Sequence, residues 1–144
     1  MTSPLTIPYA PKSVSFRRRW VIRSMSLVAA LLSTRSPERV AAILTRISRN
    51  TRPVDSATAS ELRREVTAVS LACAGNEGCL RRSITVALLT RLRGQWVTWC
   101  VGVRAVPPFA AHAWVAVDDE PIGENVPAGY FKALISVRPP ADPR

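Results

Sequence analysis

The sequence predicts a single-domain α+β fold in which N-terminal helices precede an antiparallel sheet. Apolar residues recur every three or four positions up to Gly94, which is typical of amphipathic helices. After Gly94 the apolar period changes to two residues, which is typical of strands with one buried face. Turn residues such as Pro107-Pro108 separate the later runs, and helices followed by consecutive strands favour an α+β arrangement.

Two helices are predicted in the first third of the chain. The first spans about residues 18–33, where the apolar residues fall on one helical face. The second begins with Ser36 as its N-cap and Pro37 in the first helical position, and it ends near Asn50. Both expectations rest on local signals, namely apolar spacing and capping residues.

A third helix is expected with Ser56 or Thr58 as its cap, and the run 74–78 (AGNEG) ends it. The fourth follows at once, with Cys79 in its first turn and Gly94 as its C-terminal stop.

Four strands are predicted after the fourth helix, each with alternating apolar residues and each bounded by turn residues. They are Trp96 to Arg104, Phe109 to Val117, Ile122 to about Val126, and Tyr130 to Val137.

The formal net charge of +10 is concentrated in the helical half. Residues 1–64 carry 12 basic and 3 acidic side chains, against 8 and 7 in residues 65–144. Such an excess favours an acidic partner. The expected organisation is a flexible N-terminus (1–16), a basic helical region and candidate partner-docking region (17–74), a catalytic core (75–137) and a flexible tail (138–144).

The sequence lacks the patterns typical of nucleic-acid-binding, zinc-binding and membrane-spanning proteins. No RNA-binding, zinc-finger or helix-turn-helix pattern accompanies the arginines, so nucleic acid is not expected as a partner. Cys73, Cys79 and Cys100 form no CxxC pair, and one histidine completes no common zinc pattern, so neither a metal nor a cofactor is expected. No segment has the ~20 apolar residues that span a bilayer, and the odd cysteine count suits the cytoplasm.

Cys79 is the first candidate for chemistry because of its place at a helix N-terminus. The helix dipole and unpaired N–H groups there lower a thiol pKa and favour the thiolate. The glycine-rich run 75–78 leaves room for a substrate and supplies N–H groups for an oxyanion. The alternative is an ordinary buried cysteine, which is the interpretation expected for Cys73 and Cys100.

His112 and a following acid complete a nucleophile, base and carboxylate in chain order. Asp118 lies six residues along the same strand, roughly 20 Å from the ring, and cannot touch it. Glu124 follows the reversal of the chain, and a three-residue loop pairing Val117 with Pro121 would bring it within reach of the imidazole. The prediction depends on strand register, because a slip of one residue would turn Glu124 away.

Four short motifs of the second half occur in a specific order. They are Cys79-Leu80-Arg81-Arg82-Ser83, Gly102-Val103-Arg104, Pro108-Phe109 and Ala111-His112-Ala113-Trp114-Val115, with Glu124 beyond. In these motifs the chain resembles the transglutaminase-like cysteine proteases of lasso-peptide biosynthesis, which are leader peptidases. The resemblance covers residues 75–135 well and the helical first half in outline. It implies a transglutaminase-like, papain-like core with the catalytic cysteine at a helix N-terminus.

The resemblance also implies an activity and its partners. The enzyme would cut the leader from a ribosomally made precursor peptide, freeing the core peptide for a separate ATP-dependent lasso cyclase. Carried over by position, Cys79 would be the nucleophile, His112 the general base and then general acid, and Glu124 the orienting acid, where the family more often has Asp. Stand-alone members work with a separate leader-recognition protein. We expect the arginine-rich region between residues 17 and 64, including Arg46, Arg49 and Arg52, to dock this protein, its bound acidic leader, or both.

Two rival functions remain open at the level of sequence. The same triad could transfer an acyl group to an amine instead of water, as a transglutaminase does. A non-catalytic adaptor could merely present the precursor. The roles of three further residues also stay open: Trp99 and Trp114 line a substrate cleft or belong to the core, and Arg104 binds substrate or bonds to loop carbonyls.

Overall fold

The computed structural model describes residues 14–75, 78–127 and 129–141, and it confirms the α+β fold class. Helices occupy the first two-thirds of this part of the chain, and an antiparallel sheet follows them. The helices are α1 (Phe16–Leu32), α2 (Pro37–Ile47), α3 (Ser56–Val69), α4 (Leu71–Ala74) and α5 (Cys79–Leu92). The strands are β1 (Arg52–Pro53), β2 (Gln95–Trp96), β3 (Thr98–Arg104), β4 (Ala111–Val117), β5 (Glu120–Pro121) and β6 (Phe131–Val137).

Side-chain caps fix where the first three helices begin. The Ser36 side chain accepts a hydrogen bond from the backbone N–H of Arg39 at 3.4 Å, as predicted from its position before Pro37. The cap of α3 differs from the prediction, because Asp55 takes this role instead of Ser56 or Thr58. Its carboxylate accepts the Thr58 backbone N–H at 2.9 Å and the Thr58 hydroxyl at 2.6 Å, so one side chain satisfies two donors.

The break between α3 and α5 contains the short helix α4, which the sequence did not predict. Gly78 is the N-cap of α5, and a Cβ there would overlap the carbonyl oxygen of Ala72. The absence of a side chain at Gly78 therefore lets α4 pack directly against the start of α5. Cys73 on α4 is fully buried in the core, as predicted.

The four-stranded antiparallel sheet has the order β5-β4-β3-β6, and a separate parallel pair joins β1 to β2. One face of the sheet packs on the helices, with α5 lying against β4. Trp99 is buried in this core and its indole N–H donates to the Ser83 hydroxyl at 3.0 Å, so Trp99 is a core residue and not a cleft residue. On the opposite face Cys100, Trp114 and Ala116 form a smaller buried cluster.

The predicted hairpin register after β4 is wrong by one residue. Val117 pairs with Glu120 instead of Pro121, so the connection has two residues, Asp118 and Asp119, with φ of 52° and 65°. Asp tolerates this left-handed backbone, and a two-residue turn of that kind matches the twist of the strands it joins.

The segment 122–126, which is described, does not form the predicted strand. Strand β5 ends at Pro121, and Gly123 then adopts a φ of 71° that directs the chain out of the sheet. The segment after Gly123 is therefore free to approach β4 without following the pleat of a strand.

Parts of the expected termini lie outside the described residues, namely 1–13 and 142–144. In the part of the chain that the structure describes, no helix has the length and apolar character needed to cross a bilayer.

Candidate active site

Cys79 is the first residue of α5, where the geometry favours a reactive thiol. Gly78 provides no side-chain cap, and the first N–H groups of a helix lack intrahelical partners. The Cys79 side chain is partly exposed, whereas the Cys73 and Cys100 side chains are buried. Of the run 75–78 from which oxyanion donors were expected, the Gly78 N–H is bonded to the Gly75 carbonyl at 3.0 Å, and residues 76 and 77 lie outside the described residues.

His112 lies near the start of β4, opposite Gly102 of β3, and its imidazole interacts with the Cys79 thiol. This interaction is the main cause of a lowered pKa for Cys79; burial opposes it, and the Ala113 backbone N–H adds to it. The same contact, followed by that with Glu124, raises the pKa of His112 to about 9. Both shifts favour the pair in which the thiol has lost its proton and the imidazole has gained one.

Glu124 approaches the other side of the imidazole ring. Its Oε1 lies 3.2 Å from His112 Nε2, which leaves Nδ1 as the nitrogen available to the thiol. Nε2 is buried and makes no well-aligned hydrogen bond to any described residue, so this contact is an ion pair with imperfect alignment. Burial alone would raise the pKa of Glu124, but the contact with His112 and two nearby arginines lower it overall.

The other acids of this region lie away from the imidazole. Asp118 is in the β4–β5 turn, and Asp119 pairs there with Arg138 at 2.8 Å on the surface. The structure therefore brings Glu124, and not Asp118, to the ring.

Two arginines that the sequence did not single out as site residues hold the Glu124 carboxylate. Arg63 of α3 and Arg82 of α5 place guanidinium nitrogens 3.6 and 4.0 Å from Glu124 Oε1. The Arg63 side chain lies against Gly123, where a Cβ would overlap it. Arg82 also donates to the Cys73 carbonyl at 2.9 Å, which fixes its position. Glu124 is thus held by cations from two helices as well as by the imidazole.

Phe131 of β6 is a further residue of the site that sequence reasoning missed. Its ring stacks on His112, with centroids 4.5 Å apart and planes inclined by 20°. Trp114 stacks on Phe131 at 5.0 Å and 25°, so Trp114 forms part of an aromatic layer on the sheet and is nearly buried. Alternation along β6 predicts on which face of the sheet Phe131 lies. It does not predict that the ring extends over β3 to the His112 ring on β4.

Arg104 lies at the end of β3, beside this aromatic layer. Its guanidinium carbon is 5.9 Å from the centroid of the Tyr130 ring, a cation–π contact. Its backbone N–H donates to the Ala110 carbonyl at 3.2 Å, which ties β3 to the segment that enters β4.

The arrangement contains the parts needed for acyl transfer through a thioester: a thiol at a helix N-terminus, an imidazole beside it and a carboxylate behind the imidazole. No group of three or more His, Cys, Asp or Glu side chains in residues 14–75, 78–127 and 129–141 is arranged to hold a metal ion.

Comparison with known protein families gives one match, which covers most of the chain. The model described as the transglutaminase-like superfamily matches residues 15–136, a range that includes both the helices and the sheet. No curated protein and no solved structure is significantly similar to the chain.

Proposed function

This chain belongs to the transglutaminase-like superfamily, and we propose that it is a cysteine peptidase that removes a leader peptide from a lasso-peptide precursor. Members of this superfamily are usually cysteine-dependent proteases or transglutaminases. The observation that carries the peptidase proposal is the contact of His112 with both Cys79 and Glu124. The motifs around Cys79, Gly102 and His112 support the choice of a leader peptide as substrate.

The first half of the proposed reaction forms a thioester. The Cys79 thiolate attacks the carbonyl carbon of the scissile amide, a C–S bond forms, and the carbonyl electron pair moves to oxygen. N–H groups at the start of α5 stabilise that oxyanion. His112, as the imidazolium, then donates its proton to the leaving nitrogen, the C–N bond breaks, and the amino terminus of the core peptide is released.

The second half regenerates the thiolate. His112, now neutral, accepts a proton from a water molecule that attacks the thioester carbon. The C–S bond breaks, the sulfur leaves as the thiolate beside the imidazolium, and the leader departs with a new carboxylic acid, whose proton passes to the solvent. Glu124 orients the imidazole and stabilises its charged form in both halves.

The proposal is tested by incubating the precursor peptide and the leader-recognition protein with wild type or Cys79→Ala, and by following free leader by mass spectrometry. We expect wild type to release leader and core, and Cys79→Ala to slow release by at least about 10³-fold. Cys100→Ser is the matched control, since it nearly keeps the volume of a buried thiol that bonds with Ser136, and it should cleave like wild type. Leader joined to an added amine would instead support the acyltransferase alternative.

We also propose that the leader-recognition protein docks on the helical side of the chain. The exposed face of α1 supports this, because large apolar side chains and arginines lie together on it. Phe16, Trp20, Leu27 and Leu31 are 73%, 56%, 64% and 72% exposed and fall on one helical stripe. Arg23, also exposed, lies within that stripe, so a protein surface with apolar pockets and a carboxylate would complement it.

The docking proposal is tested by the affinity of the recognition protein for α1 variants. Leu27→Asp with Leu31→Asp should weaken binding by at least about tenfold, because charge replaces apolar contact area. Leu134→Asp changes a similarly exposed leucine (66%) on β6 and is the matched control. Equal affinity of the α1 variant and wild type would exclude this face. The alternative docking site predicted from sequence is then tested by reversing the charge of Arg46, Arg49 and Arg52.

The proposed place of action is the cytoplasm. Cys73, Cys79 and Cys100 are all free thiols in the structure, which suits a reducing compartment. The ATP-dependent cyclase is the enzyme proposed to receive the released core peptide.

A further inference from the structure

The imidazole ring of His112 is restrained at its two polar edges and on one face. Cys79 and Glu124 contact the edges, and the face lies on the ring of Phe131, 4.5 Å away between centroids. We propose that Phe131 is a positioning residue, which holds the His112 ring in the plane that connects Cys79 with Glu124. This inference rests on the proposed function only in taking His112 as the base.

The sheet is built so that Phe131 can reach His112 across an intervening strand. Gly102 of β3 pairs with His112 on one side and with Ala133 of β6 on the other. A side chain at Gly102 would project on the same face as His112, into the space between the two strands. Because Gly102 has no Cβ, β6 lies close to β3 at this point, since a Cβ would overlap the Lys132 carbonyl oxygen.

The Phe131 ring is itself held from other directions. Trp114 stacks on it at 5.0 Å, and Tyr130 makes an edge contact with centroids 5.0 Å apart and planes at 81°. The pairing of β3 with β6 changes register between Val101 and Gly102. The pairs that follow Gly102 are regular and end with Arg104 opposite Phe131. Phe131 is therefore a fixed surface against which the imidazole rests.

A ring in this position affects the charged imidazole more than the neutral one. The π-face of an aromatic ring attracts a cation, so stacking favours the imidazolium in addition to restraining its rotation. The described charged groups around His112 are Cys79 and Glu124, which favour the imidazolium, and Arg63 and Arg82, which lie behind Glu124 and oppose it. Phe131 acts in the same direction as the thiolate and the carboxylate.

The experiment uses the purified full chain and needs no substrate. His112 is the only histidine, so one imidazole signal in the NMR spectrum reports its protonation as pH is varied. The pH dependence of Cys79 alkylation by iodoacetamide reports the thiolate, because Cys73 and Cys100 are buried. The variants are Phe131→Leu, which keeps apolar volume without a ring, and Phe131→Tyr, which keeps the ring. Leu134→Ala on the same strand is the control, and thermal unfolding verifies that each variant is folded.

We expect Phe131→Leu to weaken proton binding by His112 by about two- to tenfold. Because the thiolate then loses part of its stabilisation by the imidazolium, alkylation of Cys79 should begin at a higher pH. Phe131→Tyr should restore both properties, and Leu134→Ala should match wild type. The proposal is overturned if folded Phe131→Leu titrates like wild type, or if Phe131→Tyr shifts His112 as far as Phe131→Leu does. Because peptide cleavage is not measured, either result leaves the proposed function to its own test.

Discussion

Glu124→Gln removes a negative charge from the imidazole while keeping the length of the side chain and one oxygen. In the wild-type site, contacts with the Cys79 thiol and with the Glu124 carboxylate raise the pKa of His112 to about 9. Glutamine takes away the second of these contributions. It also leaves the guanidinium groups of Arg63 and Arg82 without the carboxylate that now neutralises them. Both changes disfavour the imidazolium, so the pKa of His112 falls.

The size of this effect follows from the separation of His112 Nε2 and Glu124 Oε1, which is 3.2 Å. Two unit charges at that distance interact by about 1.3 kcal/mol in bulk water and by about 5 kcal/mol at an effective dielectric constant of about 20. The side chains are 20% and 14% exposed, and two arginines share the carboxylate, so we expect a loss of about 1.5–3 kcal/mol. This corresponds to a fall of about one to two units in the pKa of His112.

NMR titration of the single histidine measures the change directly, with Asp118→Asn as the matched control in the β4–β5 turn. The variant should titrate near pH 7 to 8, and the control near the wild-type value. Since the imidazolium donates a proton to the leaving nitrogen, the alkaline limb of peptide cleavage should move to lower pH by the same amount. An unchanged His112 titration in Glu124→Gln would refute the electrostatic coupling of these two residues.

Two further perturbations test the surroundings of the site. Gly102→Ala should reduce the free energy of unfolding by about 1–3 kcal/mol, because its Cβ would overlap the Lys132 carbonyl and separate β3 from β6; a thermal or urea unfolding curve equal to wild type would contradict this. Arg63→Met should raise the pKa of Glu124, since Arg63 helps to lower it, and should move the acid limb of the cleavage–pH profile to higher pH. Arg64→Met, an exposed change on the same helix, is the control, and identical profiles for both variants would rule out the role of Arg63.

The sequence was sufficient for features that depend on neighbouring residues. Apolar spacing and capping residues predicted the main helices, and Pro37 and Cys79 lie at the first positions of α2 and α5 as expected. Asp, Ser and Thr are all favoured N-cap residues, so capping propensity does not distinguish among Asp55, Ser56 and Thr58. The cap of α3 was therefore predicted at Ser56 or Thr58, whereas Asp55 provides it. The fully buried Cys73 and the buried Cys100 also follow from apolar periodicity.

Glu124 shows that a correct contact can be predicted through a wrong register. The expected route was a three-residue loop and a regular strand, in which a slip of one residue would turn Glu124 away. The actual turn has two residues, but Gly123 takes the chain out of the ladder and removes the strand alternation that the prediction relied on. The length of the turn and the left-handed conformation of Gly123 therefore determine that Glu124 reaches His112. Neither feature can be predicted from the spacing of apolar residues.

Arg63 and Phe131 could not be found from local sequence patterns. Arg63 is one of several arginines on the helices, and only the packing of α3 beside Gly123 brings it to Glu124. Phe131 is one apolar residue on an edge strand, and its contact with His112 depends on strand order and on the close approach of β6 to β3 at Gly102. Both depend on how distant segments pack, which a single sequence read by periodicity does not specify.

The most direct measurement of the central claim is the mass of the protein during turnover of the precursor peptide. The chain, the precursor and the leader-recognition protein are mixed, quenched in acid within seconds and analysed by intact-protein and peptide mass spectrometry. We expect a transient adduct with the mass of the leader acyl group, attached to Cys79 and absent from Cys79→Ala. Cleavage of the precursor by Cys79→Ala at the wild-type rate, or an adduct attached to another residue, would contradict it.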